Sequence, residues 1–502
     1  MTHTLKGAPV LVVGAGIMGA GIAQVAAQAG HTVLLFDTRE GAAAQAKEKL
    51  TQTLEGLAAK GKLSAEAVAQ TLSRIITIAA LEEAAGVGLV VEAIVEKLDA
   101  KRGLFQQLEA IVAADCVLAS NTSSISVTAI ANGLQHPQRL VGMHFFNPVP
   151  LMKLVEVVSG LQTDVAVASS IFDLSKVWGK VPVHARSTPG FIVNRIARPY
   201  YAESLALLQE QAATPAVLDA CLRAAGFRMG PCELMDLIGH DTNFSVTQSV
   251  FEANFYDKRF APSLVQRELV DGGLLGRKSG RGFYNYPQAV IPPEPEVVEP
   301  VALPTAQLLR VHGQGPVADR FAAKLMQAGQ AFLRVPSSEW IGLGVEGAQL
   351  RLTDGRTATE LGVEVSVFDL PLNAPSGATL AWAPALRASP AWTRAAPRWL
   401  ATLGFKPQCV ADTPALVVAR TLAMLINEAA DAVQQGVCTQ DGADAAMKLG
   451  VNYPAGPFEW LAQWSTPAVM RVLDALDAHY RGERYRVSPW LRQRPWMDCE
   501  AS

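Results

Sequence analysis

The chain has 502 residues, half of them hydrophobic and 18% charged, with a formal net charge of −3. That length suggests roughly three or four domains with ample core, and the charge gives no electrostatic footprint for nucleic-acid binding. No apolar run reaches transmembrane length, and the six cysteines, at 116, 221, 232, 409, 438 and 499, show no CxxC spacing; they read as reduced, mostly buried thiols, with no metal site expected.

Met1-Thr-His-Thr-Leu-Lys6 runs almost at once into an apolar segment, so no signal peptide and a cytoplasmic location are expected. Ala8–Val13 reads as a strand, and Gly14-Ala-Gly16-Ile17-Met18-Gly19 then opens an Ala-rich helix. Thr32–Phe36 is a second strand ending at Asp37, and a long helical region extends to about residue 85. Gly88–Glu92, Cys116–Ala119 and Leu140–Met143 are further strands, and this alternation predicts a parallel α/β sheet. Gly142–Val157 reads as two short strands carrying His144 and Glu156. From Ser187 to about 270 the pattern is mostly helical. A basic Gly-rich loop, Gly276–Tyr286, and a proline-rich linker, Ile291–Pro300, follow.

Beyond the linker the first half recurs in weakened form. Leu309-Arg-Val-His-Gly313-Gln-Gly315-Pro-Val-Ala318 mimics strand and Gly-loop, with Ala at the third glycine position. The next strand, Ala331–Val335, ends in Pro336 and not in an acid. Thr188-Pro189 corresponds to Thr413-Pro414, Arg195 to Arg420, Glu203 to Glu428, and Glu233 to Glu459. This is an internal duplication with one decayed half.

The glycine fingerprint follows a strand, opens a helix and is followed by Asp37, 23 residues after Gly14. Gly14 permits the tight turn, Gly16 lets a pyrophosphate approach, and Gly19 lets helix and strand pack closely. Asp37 suits ribose hydroxyls and favours NAD over NADP, a preference that Arg39 weakens. His144 and Glu156 suit a general base and its orienting carboxylate, or a core histidine with a buried partner. Ser120-Asn-Thr-Ser123-Ser124 follows a strand where carboxyl-end loops line a ligand crevice; a helix cap is the plainer role for Ser123. Asn194 is one neutral polar residue at an apolar helix start, facing either a ligand or solvent.

Gly14–Gln24, Val90–Lys97, Ala119–Ser124, His144-Phe-Phe-Asn147-Pro-Val-Pro150 and Thr188-Pro-Gly-Phe-Ile-Val-Asn194-Arg195 together resemble the NAD-dependent L-3-hydroxyacyl-CoA dehydrogenases. The likeness is to their long bacterial form, associated with phenylacetate degradation, and spans 8–285. It implies a Rossmann-like NAD-binding domain over 1–186 and a helical domain over 187–287. A linker over 288–305, a degenerate Rossmann-like segment over 306–401 and a second helical copy over 402–502 complete the expected α/β plus all-α architecture. By the same resemblance, His144 is the base, Glu156 orients it, Ser123 and Asn194 hydrogen-bond the reacting oxygen, and Asn147 helps place the substrate. Gly14, Gly16, Ile17, Met18, Gly19, Asp37, Glu96 and Lys101 would contact NAD, and Lys60 or Lys62 the CoA phosphates.

Ala419 stands opposite Asn194, and no His-Phe-Phe-Asn-Pro motif occurs after residue 300, so one active site per chain is expected. The family's paired helical domains imply that 402–490 packs on 187–285 within the chain, while a homodimer remains open. The implied substrate is 3-hydroxyadipyl-CoA, with Arg195 or Arg198 as candidate partner of its far carboxylate, and 3-hydroxybutyryl-CoA is the close alternative. The rival of another class is a non-catalytic NAD- or CoA-binding structural protein. A third reading is the dehydrogenase part of a hydratase complex whose hydratase would be a separate chain.

Overall fold

The four residues after Pro9 are all apolar, and all four are buried in β1 (Val10–Val13) at the centre of a sheet. The computed structural model to which this strand belongs describes residues 5–286, 306, 308–372, 375 and 377–499; the linker expected over 288–305 lies outside the described residues. The chain divides into two units. The first runs to Arg195 and takes in Ala432–Val451, and the second holds Ile196–Asp431 and the chain from Asn452 onward.

In the first unit β1 leads through a glycine loop to α1 (Ile17–Gln28), followed by β2 (Val33–Phe36), α2 (Ala42–Ala59), α3 (Ala65–Ser73) and β3 (Ile75–Thr77). Next come β4 (Leu89–Glu92), α4 (Leu98–Glu109), β5 (Val117–Ser120), α5 (Val127–Ala131) and β6 (Leu140–Phe145). β7 (Leu154–Ser159), α6 (Val165–Val177), β8 (Val181–Arg186) and the short α7 (Val193–Ile196) complete the series. The sheet order is β3-β2-β1-β4-β5-β6-β7-β8, parallel except that β7 runs antiparallel to β6. β4 and β5 are buried along their whole length, as a sheet covered on both faces requires. Chain order reverses at β1, and the carboxyl ends of β1 and β4 therefore flank a crevice suited to a ligand.

The helical stretch expected to reach residue 85 is interrupted by β3, where Ile75-Ile-Thr77 pairs with β2. β-branched side chains pack well on a pleated surface, and here that preference prevails over the helical composition around it.

The second unit begins with α8 (Arg198–Gln209), α9 (Pro215–Ala224), α10 (Pro231–Ile238), α11 (His240–Ala253) and α12 (Leu264–Asp271). A second sheet contains β9 (Leu309–His312), β10 (Leu333–Val335), β11 (Gly342–Val345), β12 (Ala348–Leu352), β13 (Val365–Phe368), β14 (Thr379–Pro384) and β15 (Lys406–Cys409). Between them lie α13 (Pro316–Gln327), α14 (Ala358–Leu361) and α15 (Pro390–Thr402), and α16 (Val418–Gln434) follows. α17 (Gln440–Gly450) packs on β7 and β8 of the first unit, to which it belongs. α18 (Pro457–Trp464), α19 (Thr466–Tyr480) and α20 (Pro489–Cys499) end the described chain. The second sheet has the order β10-β9-β11-β12-β13-β14-β15, with β11 antiparallel to both neighbours.

The two helical copies meet within this unit through reciprocal ion pairs. Glu203 of the first copy accepts from Arg420 and Arg484 of the second, each at 2.8 Å, and Glu428 of the second pairs with Arg259 of the first at 3.2 Å. Among the described residues no helix is long and apolar enough to cross a membrane, and no cluster of His, Cys, Asp and Glu could hold a metal ion. Cys116, Cys221 and Cys232 are buried free thiols, Cys438 is half-buried and Cys409 is exposed.

Candidate active site

The β1–α1 turn is shaped by its glycines. Gly14 has φ +103°, and a Cβ there would stand 2.5 Å from the Ala93 carbonyl oxygen. A Cβ on Gly19 would collide with the Gly14 carbonyl. Gly16 instead has open space above it, and as N-cap of α1 it offers no side-chain bond to the amides of the first turn. Those amides and the positive end of α1 face a groove of about 490 Å3 whose lining includes Gly16, Ile17, Arg39 and Asn147. Ile17 is 79% exposed, unusual for isoleucine in a fold's first helix. Asp37 Oδ2 accepts from the Ala15 amide at 2.8 Å, and Oδ1 from the Arg39 amide at 2.9 Å and Arg39 Nε at 3.2 Å. Burial opposes ionisation of Asp37, yet Arg39 and the two amides hold its carboxyl below the usual range. Open, uncapped donors with an ionised acid at the end of the neighbouring strand fit a dinucleotide.

Beside this turn lies a cluster of charges, Glu92 and Lys101 buried and Glu96 at the surface, of which the sequence points to only two. Lys101 is fully buried, with Nζ 2.6 Å from Glu92 Oε1 and 3.1 Å from Glu96 Oε2. Lys101 was expected to touch NAD, but its ammonium is enclosed by these two acids. Ser120 Oγ donates to Glu92 Oε2 at 2.6 Å. Glu96 Oε1 accepts from Thr122 Oγ1 at 2.7 Å and from the amides of Ser123 and Ser124 at 2.8 and 3.1 Å. Burial disfavours the charge on Glu96, but Lys101 and these donors hold its carboxyl low. The loop 120–124 is thus clamped from below by Glu92, Lys101 and Glu96. Glu92 went unassigned in the sequence, although an acid closing an otherwise apolar strand is a usable signal.

His144 and Glu156 are cross-strand partners on β6 and β7, with Nδ1 2.5 Å from Oε2. Both are buried. Glu156 Oε1 accepts from the amides of Ile192 and Val193, each at 3.0 Å. One carboxylate therefore fixes both the imidazole and the turn that leads to Asn194. Asn194 Nδ2 in turn donates to the Ser123 carbonyl at 3.4 Å. Asn121 Oδ1 accepts from the Phe145 amide at 2.8 Å, tying the loop 120–124 to the strand of His144. Phe146 and Phe191 flank the imidazole, with ring centres 4.5 and 5.9 Å away. Asn147 is exposed on the loop after β6, Lys60 and Lys62 are exposed on the turn after α2, and buried Arg195 donates to Gln435 at 2.8 Å.

The dinucleotide turn and a buried His–Glu pair in one unit define the class of NAD-dependent dehydrogenases. Residues 9–188 match "3-hydroxyacyl-CoA dehydrogenase, NAD binding domain", and 190–286 and 416–495 match the C-terminal domain of the same family. Residues 350–414 match a "3-hydroxybutyryl-CoA dehydrogenase reduced Rossmann-fold domain". The chain belongs to the 3-hydroxyacyl-CoA dehydrogenase family, whose members are NAD-dependent enzymes. It is 43% identical to the 3-hydroxyadipyl-CoA dehydrogenase of Escherichia coli K12 over 97% of this chain and 98% of that protein. It is also 43% identical to human mitochondrial hydroxyacyl-coenzyme A dehydrogenase, over 55% of this chain and 90% of that one. A crystal structure of 3-hydroxybutyryl-CoA dehydrogenase from Escherichia coli K12 superposes with TM-score 0.88 at 42% identity, covering 99% of this chain and 100% of that one.

Proposed function

We propose that the protein oxidises (S)-3-hydroxyacyl-CoA to 3-oxoacyl-CoA, with 3-hydroxyadipyl-CoA as its substrate in aromatic catabolism in the cytoplasm. The observation that carries the reaction is the buried His144–Glu156 pair. Bound NAD+ supplies the hydride acceptor. Glu156 accepts from Nδ1–H, which leaves the Nε2 lone pair of His144 to take the hydroxyl proton, and it stabilises the imidazolium that results. Ser123 and Asn194 hydrogen-bond the substrate oxygen as it changes from hydroxyl to carbonyl, and Asn147 helps orient substrate and base. Asp37 takes the ribose hydroxyls, and the amides after Gly16 take the pyrophosphate. Glu96 and Lys101 act as positioning residues that hold the Ser123 loop. Lys60 or Lys62 meets the CoA phosphates.

The adipyl reading is supported by the relative of that name, which matches both halves of the chain. The butyryl reading has its own support, because a structure of equal span is described as a 3-hydroxybutyryl-CoA dehydrogenase. Initial rates of NADH formation with the two thioesters separate them. A higher kcat/KM for 3-hydroxyadipyl-CoA is expected; a preference for 3-hydroxybutyryl-CoA would replace the substrate, and no NADH from either would remove the reaction.

A further inference from the structure

Lys180, in the turn between α6 and β8, is a buried cation that no step of the reaction uses. Its Nζ donates to the Val149 carbonyl at 2.5 Å and to the Met152 carbonyl at 2.8 Å. Among the described residues no acid pairs with it, and burial pushes its ammonium below the usual lysine range. An ammonium buried without a counter-charge is costly, so its place in the fold needs a reason. Both carbonyls belong to the loop after β6, which begins at Asn147, three residues beyond His144. The other side of that loop packs on α1, where a Cβ on Gly21 would stand 2.8 Å from Val149 Cβ and 3.6 Å from Pro150 Cδ. Asn147, Pro148, Val149 and Pro150 line the dinucleotide groove together with Gly16 and Ile17.

The decayed half shows what the fold alone requires at this position. Trp178-Gly179-Lys180-Val181-Pro182 and Leu403-Gly404-Phe405-Lys406-Pro407 follow the corresponding helices α6 and α15 and open the corresponding edge strands β8 and β15. Gly179 and Gly404 have φ +74° and +88°. The amides of Lys180 and Phe405 each donate to the carbonyl five residues back, Ser175 at 2.9 Å and Leu400 at 3.1 Å. The two turns are alike, yet Phe405 is a buried apolar side chain, in the half that has no His-Phe-Phe-Asn-Pro loop. The turn therefore accepts an apolar residue, and the ammonium serves the loop after His144. We infer that Lys180 is a positioning residue: it holds the 147–152 loop against α1 and so fixes Asn147 and one wall of the dinucleotide groove. For Asn147 the inference rests on the dehydrogenase reading; for the groove wall it does not.

Lys180→Met keeps a long side chain and removes the donors. The NAD dissociation constant, kcat/KM for the better of the two thioesters and the melting temperature are measured on the same preparation. The dissociation constant should rise about tenfold, because a loosened wall must be ordered again on binding. kcat/KM should fall about 10²-fold, as expected for a shift of the groups that place the substrate. A lysine that only stabilised the fold would lower the melting temperature of Lys180→Met and leave NAD affinity and kcat/KM unchanged, and that result overturns the inference. If Lys180→Met does not fold, Gly21→Ala carries the test by crowding Val149 from the α1 side. NAD affinity should fall there too, and unchanged affinity overturns the inference. If wild type yields no NADH from either thioester, the dehydrogenase reading fails, and the NAD dissociation constants alone decide whether Lys180 holds the groove.

Discussion

Glu156 and Asp369 support corresponding turns in the two halves of the chain, but only Glu156 keeps an oxygen for an imidazole. Glu156 gives Oε1 to the amides of Ile192 and Val193 and Oε2 to His144. Asp369 accepts from Val417 and Val418 at Oδ2 and from Ala419 and Leu370 at Oδ1. The strands β12-β13-β14-β15 repeat the parallel, antiparallel, parallel sequence of β5-β6-β7-β8. Asp369, immediately after β13, therefore corresponds to the end of β6, where the first half carries His144. Burial pushes its carboxyl up to about 6 even with four amides donating to it. The decayed half has kept the turn and given up the base.

Two substitutions at Glu156 should separate its two tasks. Glu156→Gln retains an oxygen for the Ile192 and Val193 amides but no charge for the imidazolium, so kcat should fall while the melting temperature changes little. Glu156→Ala also orphans two buried donors, each costing about 1–3 kcal/mol. Its melting temperature should drop clearly below that of Glu156→Gln. Equal melting temperatures would show that the carboxylate does not hold the turn.

NAD should bind once per chain. In the second sheet β9 has antiparallel β11 on one side, so its carboxyl end lacks the parallel neighbour that makes a ligand crevice beside β1. Pro316 opens α13, removing one amide that could meet a phosphate. Calorimetry is expected to give a stoichiometry near one; a value near two would mean the second half has kept its site.

Much of the first unit was legible because its signals are local. A glycine loop between a strand and a helix, an acid at the next strand end and the His144 stretch all lie in short windows. β3 was not legible, since three β-branched residues sit inside a helix-like composition. The clamp of Glu92, Lys101 and Glu96 was not either, because it joins residues from a strand, a helix and a loop whose pairing no periodicity records. Nor does anything in the helical pattern of 440–450 say that α17 covers the strands of the first sheet. Asp369 was not legible because it supports its turn from just beyond the end of β13, whereas Glu156 does so from within β7.

Gly450 tests that coverage. A Cβ there would stand 2.7 Å from Leu154 Cδ2 and 3.0 Å from Val193 Cγ2, on the strand of Glu156 and beside Asn194. Gly450→Val should cost about 1–3 kcal/mol through overpacking and lower kcat with NAD affinity held. Wild-type melting and kcat in this variant would show that α17 does not brace the site.

Glu203 should make the protein sensitive to acid. Burial opposes its charge, but Arg484 and Arg420 hold its carboxyl below the usual range. A depressed folded value contributes stability that is present above the unfolded value of about 4.3 and is lost as pH falls through the folded value. Arg420→Ala should therefore lose about 3–5 kcal/mol near neutral pH, with the gap to wild type narrowing below about pH 4. Urea unfolding across that range checks the sign; a gap that widens in acid would contradict it.

The most direct measurement is kcat for 3-hydroxyacyl-CoA oxidation in His144→Gln, together with the NAD dissociation constant of the same preparation. A fall in kcat of about 10²–10⁴-fold with NAD binding unchanged is expected for a missing general base. A variant that keeps most of its kcat would show that His144 is not the base.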